Sequence, residues 1–278
     1  MRFALSAAFF LFLTPAGYAA KWGEADLWTG SNNFLRSDIS FLANISTRCV
    51  SGINVSFYKI EGKDKVYSFR LPFNVFLGRS SMLTVKPFYY PKDGKGSYAY
   101  GSRASFSYLY HNEPKESSTS LNFSAAFEKQ KLSEYGKESA DNKSVEFQLE
   151  ENFYDEFFIL FTASSLLNPE NPAGLQKRYA EISDLISPNA FAFINDTVYN
   201  NFGLQFARSL KPDYDSYVYA GADRMNCRSS DYNSYVFGLR VNFIEKNFFN
   251  FSYNYLDSKN NKGKDRSYYK ISLGVFFK

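Results

Sequence analysis

Along most of this chain, apolar and polar residues trade places at every step, and the final stretch shows the pattern most cleanly. From residue 268 onward one set of positions is Tyr269, Ile271, Leu273, Val275 and Phe277, while the positions between them hold Lys270, Ser272 and Gly274. A repeat of two is that of a β-strand, whose side chains point alternately to opposite sides of the sheet. Such a strand is oily on one face, wettable on the other, and aromatic at its end.

The alternation recurs upstream. Phe249, Phe251, Tyr253 and Tyr255 interleave with Asn250, Ser252 and Asn254. Tyr235, Phe237, Leu239, Val241 and Phe243 interleave with Ser234, Gly238, Arg240 and Asn242. Further back, Val145, Phe147 and Leu149 oppose Glu146, Gln148 and Glu150, while Leu121, Phe123, Ala125 and Phe127 oppose Asn122, Ser124 and Glu128. Ala104, Phe106, Tyr108 and Tyr110 oppose Arg103, Ser105 and Ser107, and Tyr67, Phe69, Leu71, Phe73 and Val75 oppose Ser68, Arg70 and Asn74. Shorter alternations start at Ile39, Ile53, Leu83 and Phe202. Residues 157–161 are continuously apolar and residues 216–224 favour neither face, yet turn signals bound both, so both are counted as strands. With a first strand near residues 22–29, the total is about fourteen, or about twelve if one hairpin is lost. An even number brings both ends of the chain back to the same side.

These strands are set in a chain with a mean hydropathy of −0.36, a value that would ordinarily indicate a water-soluble protein. Aromatic residues nonetheless make up 19%, with 30 Phe and 22 Tyr, more than a soluble domain of this size easily buries. A closed barrel reconciles the two, because each spanning strand needs only about 9–11 residues and half of them face water. The expected fold is all-β, a transmembrane antiparallel up-and-down barrel over residues 21–278. Residues 1–20 read as a cleaved export signal: Arg2, an apolar run over 3–13, Pro15, and small residues ending at Ala19-Ala20. That run is too short to cross a bilayer as a helix.

The turns divide into two sets. Segments 78–81, 111–116, 155–156 and 245–247 are short and belong on the periplasmic side, whereas 128–143, 166–197 and 257–265 are long and belong outside the cell. Within 166–197, Leu175, Tyr179, Ile182, Leu185 and Ile186 are at near-helical spacing over 173–186. A helix there would either fold inward and narrow a pore or lie on the rim.

Charge adds the candidate chemistry. Net charge is +4, and the basic residues are scattered without forming a patch, so nucleic acid is not implied. By alternation Arg70, Lys86, Arg103, Arg240 and Lys270 face inward, as do Asp38, Glu128, Glu146 and Glu150. Charges are costly anywhere in a membrane but a wet or densely hydrogen-bonded interior, so these are the candidate pore-lining residues. Basic positions fall near both ends of the sequence and acidic ones mainly in the middle strands, which would set a transverse field across the lumen. The alternative is that opposite signs pair off and plug it.

Other motifs reduce to the strand pattern. Six Asn-x-Ser/Thr triplets begin at Asn44, Asn54, Asn122, Asn142, Asn195 and Asn250, and in four of them the alternation alone accounts for the spacing. The single histidine, His111, is placed in a short turn with no neighbouring serine motif to serve, which argues against a hydrolase. One His and two distant Cys do not complete a zinc site, and the carboxylates near Asp213 and Asp215 lack the spacing of a calcium loop. No metal or other cofactor is expected. Cys49 and Cys227 fall at opposite ends of the barrel, so no disulfide is expected between them.

With these residues in view, the chain resembles the broad, porin-like class of Gram-negative outer-membrane β-barrel proteins over nearly its whole length. The resemblance implies a bacterial outer-membrane location and contact with outer-membrane lipids. It also implies insertion by barrel-assembly machinery that reads the closing face Tyr269, Ile271, Leu273, Val275 and Phe277. In that class the last residue is usually aromatic, so Lys278 departs from the pattern. The leading functional expectation is a passive channel for small hydrophilic solutes, without enzymatic activity. A structural or adhesive barrel plugged by its loops comes next, and an outer-membrane hydrolase last.

Overall fold

The computed structural model describes residues 21–59, 66–91, 98–112, 117–132, 138–153, 156–167, 198–210, 216–227, 230–243, 247–259 and 265–277. The proposed export signal, the 173–186 helix, Asp213, Asp215 and Lys278 lie outside them.

Every alternating segment forms a strand. In chain order these are β1 (Lys21–Gly30), β2 (Phe34–Ser46), β3 (Cys49–Lys59), β4 (Val66–Arg70), β5 (Phe73–Phe76), β6 (Ser81–Tyr90), β7 (Tyr98–Asn112) and β8 (Ser117–Leu132). They continue with β9 (Glu138–Phe153), β10 (Phe157–Leu167), β11 (Val198–Ser209), β12 (Tyr217–Cys227), β13 (Tyr232–Phe243), β14 (Asn247–Ser258) and β15 (Arg266–Phe277). Apart from β4 and β5, which do not pair with each other, each pairs antiparallel with its sequence neighbours, and β1 pairs with β15 from Lys21↔Phe277 to Gly30↔Tyr268, which closes the ring.

β4 and β5 form one stave. Both pair with β3 and β6 in a single continuous register, and they are separated only by Leu71 and Pro72. Proline has no N–H to give to the ladder, so the strand assignment breaks there. The bonds flanking it survive: the Gly52 N–H donates to the Pro72 carbonyl at 3.1 Å and the Leu71 N–H to the Pro87 carbonyl at 3.0 Å. The barrel therefore has 14 staves, the larger of the two expected counts. The two irregular stretches are β10 and β12. Alternation resolves both, with Phe158 and Leu160 facing in, and Asp223 facing in beside an outward Arg224.

Following the residue pairing once round the ring displaces the starting point by about fourteen residues, a stagger of about one residue per stave. Strand number and stagger together give a tilt of roughly 36° and a backbone radius of roughly 12–13 Å. That is wide enough for a lumen that side chains only partly fill.

The outer surface is apolar to a degree no water-soluble fold tolerates. Phe123, Phe202, Phe206 and Phe237 are each more than half exposed, at 55%, 53%, 53% and 57%. Phe106, Phe123 and Phe147 stand in one row across three staves. Serines at inward positions are buried instead, among them Ser56, Ser68, Ser124, Ser234, Ser252 and Ser272. Tyr269, Ile271 and Leu273 on the closing strand lie on the exposed outer face.

Two boundaries differ from the sequence expectation. Most of 128–143 is strand: β8 runs to Leu132 and β9 begins at Glu138, with Glu128 paired to Asn142 and Phe127 to Lys143. Charged composition suggested a loop, but a hairpin ladder satisfies its own backbone groups in water as well as in lipid, so pairing continues past the apolar zone. Likewise His111 and Asn112 belong to β7, opposite Ser118 and Ser117. Cys49 opens β3 at the end of the barrel that holds Lys21 and Phe277, here the lower end. Cys227 closes β12 at the upper end, and no disulfide joins the two.

Placing arginine on the outer face at Phe123 should lower folding stability in lipid vesicles by about 2–4 kcal/mol. The same residue at the adjacent inward Asn122 should cost less than about 1 kcal/mol. Urea unfolding of both variants checks this, and equal costs would contradict the assigned faces.

Candidate functional site

The inward face encloses a cavity of about 500 Å³ whose lining includes Asp26, Arg36, Asp38, Arg70, Lys86, Asp223 and Lys270. When the register is corrected for the stagger, Asp26, Asp38, Arg70, Lys86, Arg103, Glu146, Asp223 and Lys270 fall within about two residues of one level, midway along the barrel. A belt of charges thus girdles the lumen.

Most of the belt is internally neutralised. The Arg103 guanidinium meets the Glu146 carboxylate at 3.0 Å and donates to Ser124 Oγ at 3.0 Å. Lys270 Nζ lies 2.9 Å from Asp26 and 5.2 Å from the centre of the Trp28 ring. Arg36 pairs with Asp38, which also accepts a hydrogen bond from Ser56. The Arg103–Glu146 and Lys270–Asp26 pairs join near-adjacent and adjacent staves and so knit the wall together, whereas Arg36 and Asp38 are neighbours on one face of β2.

Arg70, Lys86 and Arg103 occupy the consecutive staves β4, β6 and β7, with Lys86 directly opposite Arg103 in the register. This is a basic arc. Among the described residues Lys86 makes no ion pair, and its side chain is open to the lumen. Asp223 stands on β12, six staves round the ring of fourteen, with its carboxylate lying over Gly203 of β11. Any side chain at Gly203 would overlap that carboxylate.

Two further tiers bracket the belt. Below it, Trp22 stacks on Phe248 with ring centroids 5.5 Å apart, and the Arg240 guanidinium lies 3.7 Å from the Phe248 centroid and 6.0 Å from that of Tyr217. Phe158 and Tyr217 continue this collar at 5.9 Å. Above the belt, Trp28, Phe34, Met225, Tyr232, Leu256 and Tyr268 belong to one buried apolar cluster on the inner wall. Phe34 and Tyr268 meet edge to face at 5.5 Å.

The sequence-derived candidates therefore separate into groups. Arg70, Lys86, Arg103, Glu146, Lys270 and Asp38 share the belt. Arg240 belongs to the lower aromatic collar, and Glu150 lies near that level on β9, opposite Leu160 and Ser120. Glu128 lies above the belt, buried beside Asn142. The expected segregation of acidic residues to the middle strands does not hold, because Glu24, Asp26 and Asp38 sit on β1 and β2, where Asp26 pairs with Lys270 and Asp38 with Arg36. Glu24, Asp26, Arg36 and Asp223 were missing from the candidates. The first three follow the same alternation in strands whose signal is weak, and Asp223 is masked by Arg224 beside it on the opposite face.

His111 is at the lower rim, and among the described residues no hydrogen bond joins it to a serine or carboxylate. No group of His, Cys, Asp and Glu that could hold a metal ion occurs among the described residues.

No protein-family model and no curated protein sequence matches the chain. Solved structures of similar shape include OccK11 (OpdR) of Pseudomonas aeruginosa, at 7% identity and a TM-score of 0.47, covering 93% of this chain and 95% of that one. The KdgM porin in complex with disordered oligogalacturonate is 8% identical with a TM-score of 0.44, covering 92% and 99%. The Pseudomonas putida toluene transporter TodX is 9% identical with a TM-score of 0.48, covering 96% and 90%. Likenesses at this level say nothing of what enters the lumen, and the architecture above rests on this chain's own strand pairing.

Truncating one member of a buried ion pair leaves the other charge uncompensated. Arg103→Ala should therefore destabilise the barrel by about 3–5 kcal/mol, and pairing it with Glu146→Leu should restore most of the loss. Unfolding of the single and double variants in detergent measures both.

Proposed function

We propose that this protein is a bacterial outer-membrane channel that lets small hydrophilic solutes cross passively. The observation that carries this reading is the charged, hydroxyl-rich belt lining a cavity of about 500 Å³ inside a closed barrel. A barrel built only to anchor or adhere gains nothing from solvated charges at mid-depth, where burial is costly unless water or a polar solute is present. The apolar outer face suits the hydrocarbon of the membrane. The lower end, where the short turns lie, is then periplasmic, and insertion by barrel-assembly machinery through the Tyr269-to-Phe277 face of β15 completes the picture. Diffusion through such a lumen calls for no nucleophile or cofactor.

The upper apolar cluster favours a second reading, in which the conduit is closed near its outer mouth and the barrel is structural. Planar bilayers decide between them. Purified protein should give discrete single-channel currents in potassium chloride. Verified insertion without current would reject the channel. Trp28→Ala, which removes a ring shared by the cavity lining and the upper cluster, should raise the conductance by about 1.2- to 2-fold if the cluster narrows the path. An unchanged conductance would place the narrowest point elsewhere.

A further inference from the structure

Once the ion pairs of the belt are set aside, the lining charges on opposite walls that have no ion-pair partner among the described residues are the exposed Lys86 on β6 and the half-buried Asp223 on β12; Glu24, likewise without an ion pair, lines the cavity from β1, away from this diameter. Glu146 is taken by Arg103, Asp26 by Lys270, and Asp38 by Arg36 and Ser56. Among the described residues neither Lys86 nor Asp223 has an ion-pair partner, yet both line the same cavity. They stand at nearly one level and almost diametrically apart. Arg70 and Arg103 flank Lys86 and raise the positive potential on its side.

We infer that this opposed pair is a binding site for short zwitterionic peptides, taking the peptide carboxylate at Lys86 and its ammonium at Asp223. The inference rests on the channel reading for its role in transport, though not for binding itself. Dimensions set the length of the ligand. A chord across a ring of roughly 12–13 Å radius is roughly 24 Å between backbones, from which a lysine reaches in by about 6 Å and an aspartate by about 3 Å. The gap left is about 15 Å. A charge-assisted hydrogen bond of about 2.8 Å at either end leaves about 9–10 Å for the peptide, and an extended chain at about 3.3–3.6 Å per residue covers that with about three residues. A single amino acid, whose charges are only about 3–4 Å apart, reaches one wall and not both.

A transverse pair of this kind also acts before contact. A dipolar solute entering the belt is turned across the lumen, whereas a monovalent ion is drawn to one wall and repelled from the other. Solutes with both charges are therefore retained longest.

The test uses the whole protein in planar bilayers with triglycine, N-acetyl-triglycine and triglycine amide. Triglycine should block the ionic current half-maximally at a concentration about tenfold below either capped form, the loss of one charge-assisted hydrogen bond being worth about that factor. Lys86→Met should make triglycine no better than its amide, and Asp223→Asn should make it no better than the acetylated form. Equal block by all three peptides, or cap effects untouched by the two substitutions, would overturn the inference and leave the channel standing. If the protein conducts no current, calorimetric titration of the same peptides into detergent-solubilised protein still measures the site. The same ranking of the three peptides would support it, and absence of binding would overturn it.

Discussion

A bilayer offers no hydrogen-bond partner to a backbone amide, and everything in this molecule follows from meeting that demand with strands alone. Each N–H and C=O must find its partner on a neighbouring strand, and a sheet can do this throughout only if its first strand pairs with its last. The β1–β15 seam, continuous from Lys21 to Gly30, is that closure. Strand number and stagger then leave little freedom in the radius. The break at Leu71-Pro72 shows how tightly the requirement is held: proline removes one donor, and the amides on either side remain bonded across the gap.

Closure also decides where charge can go. With lipid outside, ionised side chains at mid-depth have only the lumen, and there they gather into one belt because the stagger brings alternate residues of every stave to the same level. Most are paired, which lowers the cost of holding them in a confined space and ties β1 to β15 and β7 to β9. The pairs do not cancel everywhere. Lys86 on β6, set between Arg70 and Arg103, and the carboxylate of Asp223 on β12 have no ion-pair partner among the described residues, so the lumen has a direction across it although its net charge is small.

Above and below the belt the wall becomes aromatic. The lower collar is made possible by small residues: at Gly274 any side chain would overlap the Phe248 ring, which lies flat along the wall instead of projecting across the opening. The upper cluster, built around Trp28, Phe34, Met225, Leu256 and Tyr268, covers the inner wall on the other side of the belt. Whether a solute passes depends on how these tiers share the available width with the belt between them.

A large part of this was legible in the residues before any coordinates. The two-residue repeat of Phe249 to Tyr255 or Leu121 to Phe127 identified strands, their lipid-facing sides and the inward places of Lys86, Arg103 and Glu146, because side-chain direction in a strand is a property of the backbone itself. It also read His111 as a turn and 128–143 as a loop, since local composition cannot reveal that a hairpin continues to pair in water. Asp223 and Arg224 were ambiguous for a related reason, as two adjacent charges carry no preference until one neighbour faces lipid. Which charges meet was beyond the sequence altogether. The Lys270–Asp26 contact joins residues at opposite ends of the chain, and only the closed ring, with its particular stagger, brings them to one level. Alternation is local and can be read locally; height and partnership are set by closure, which involves every strand at once.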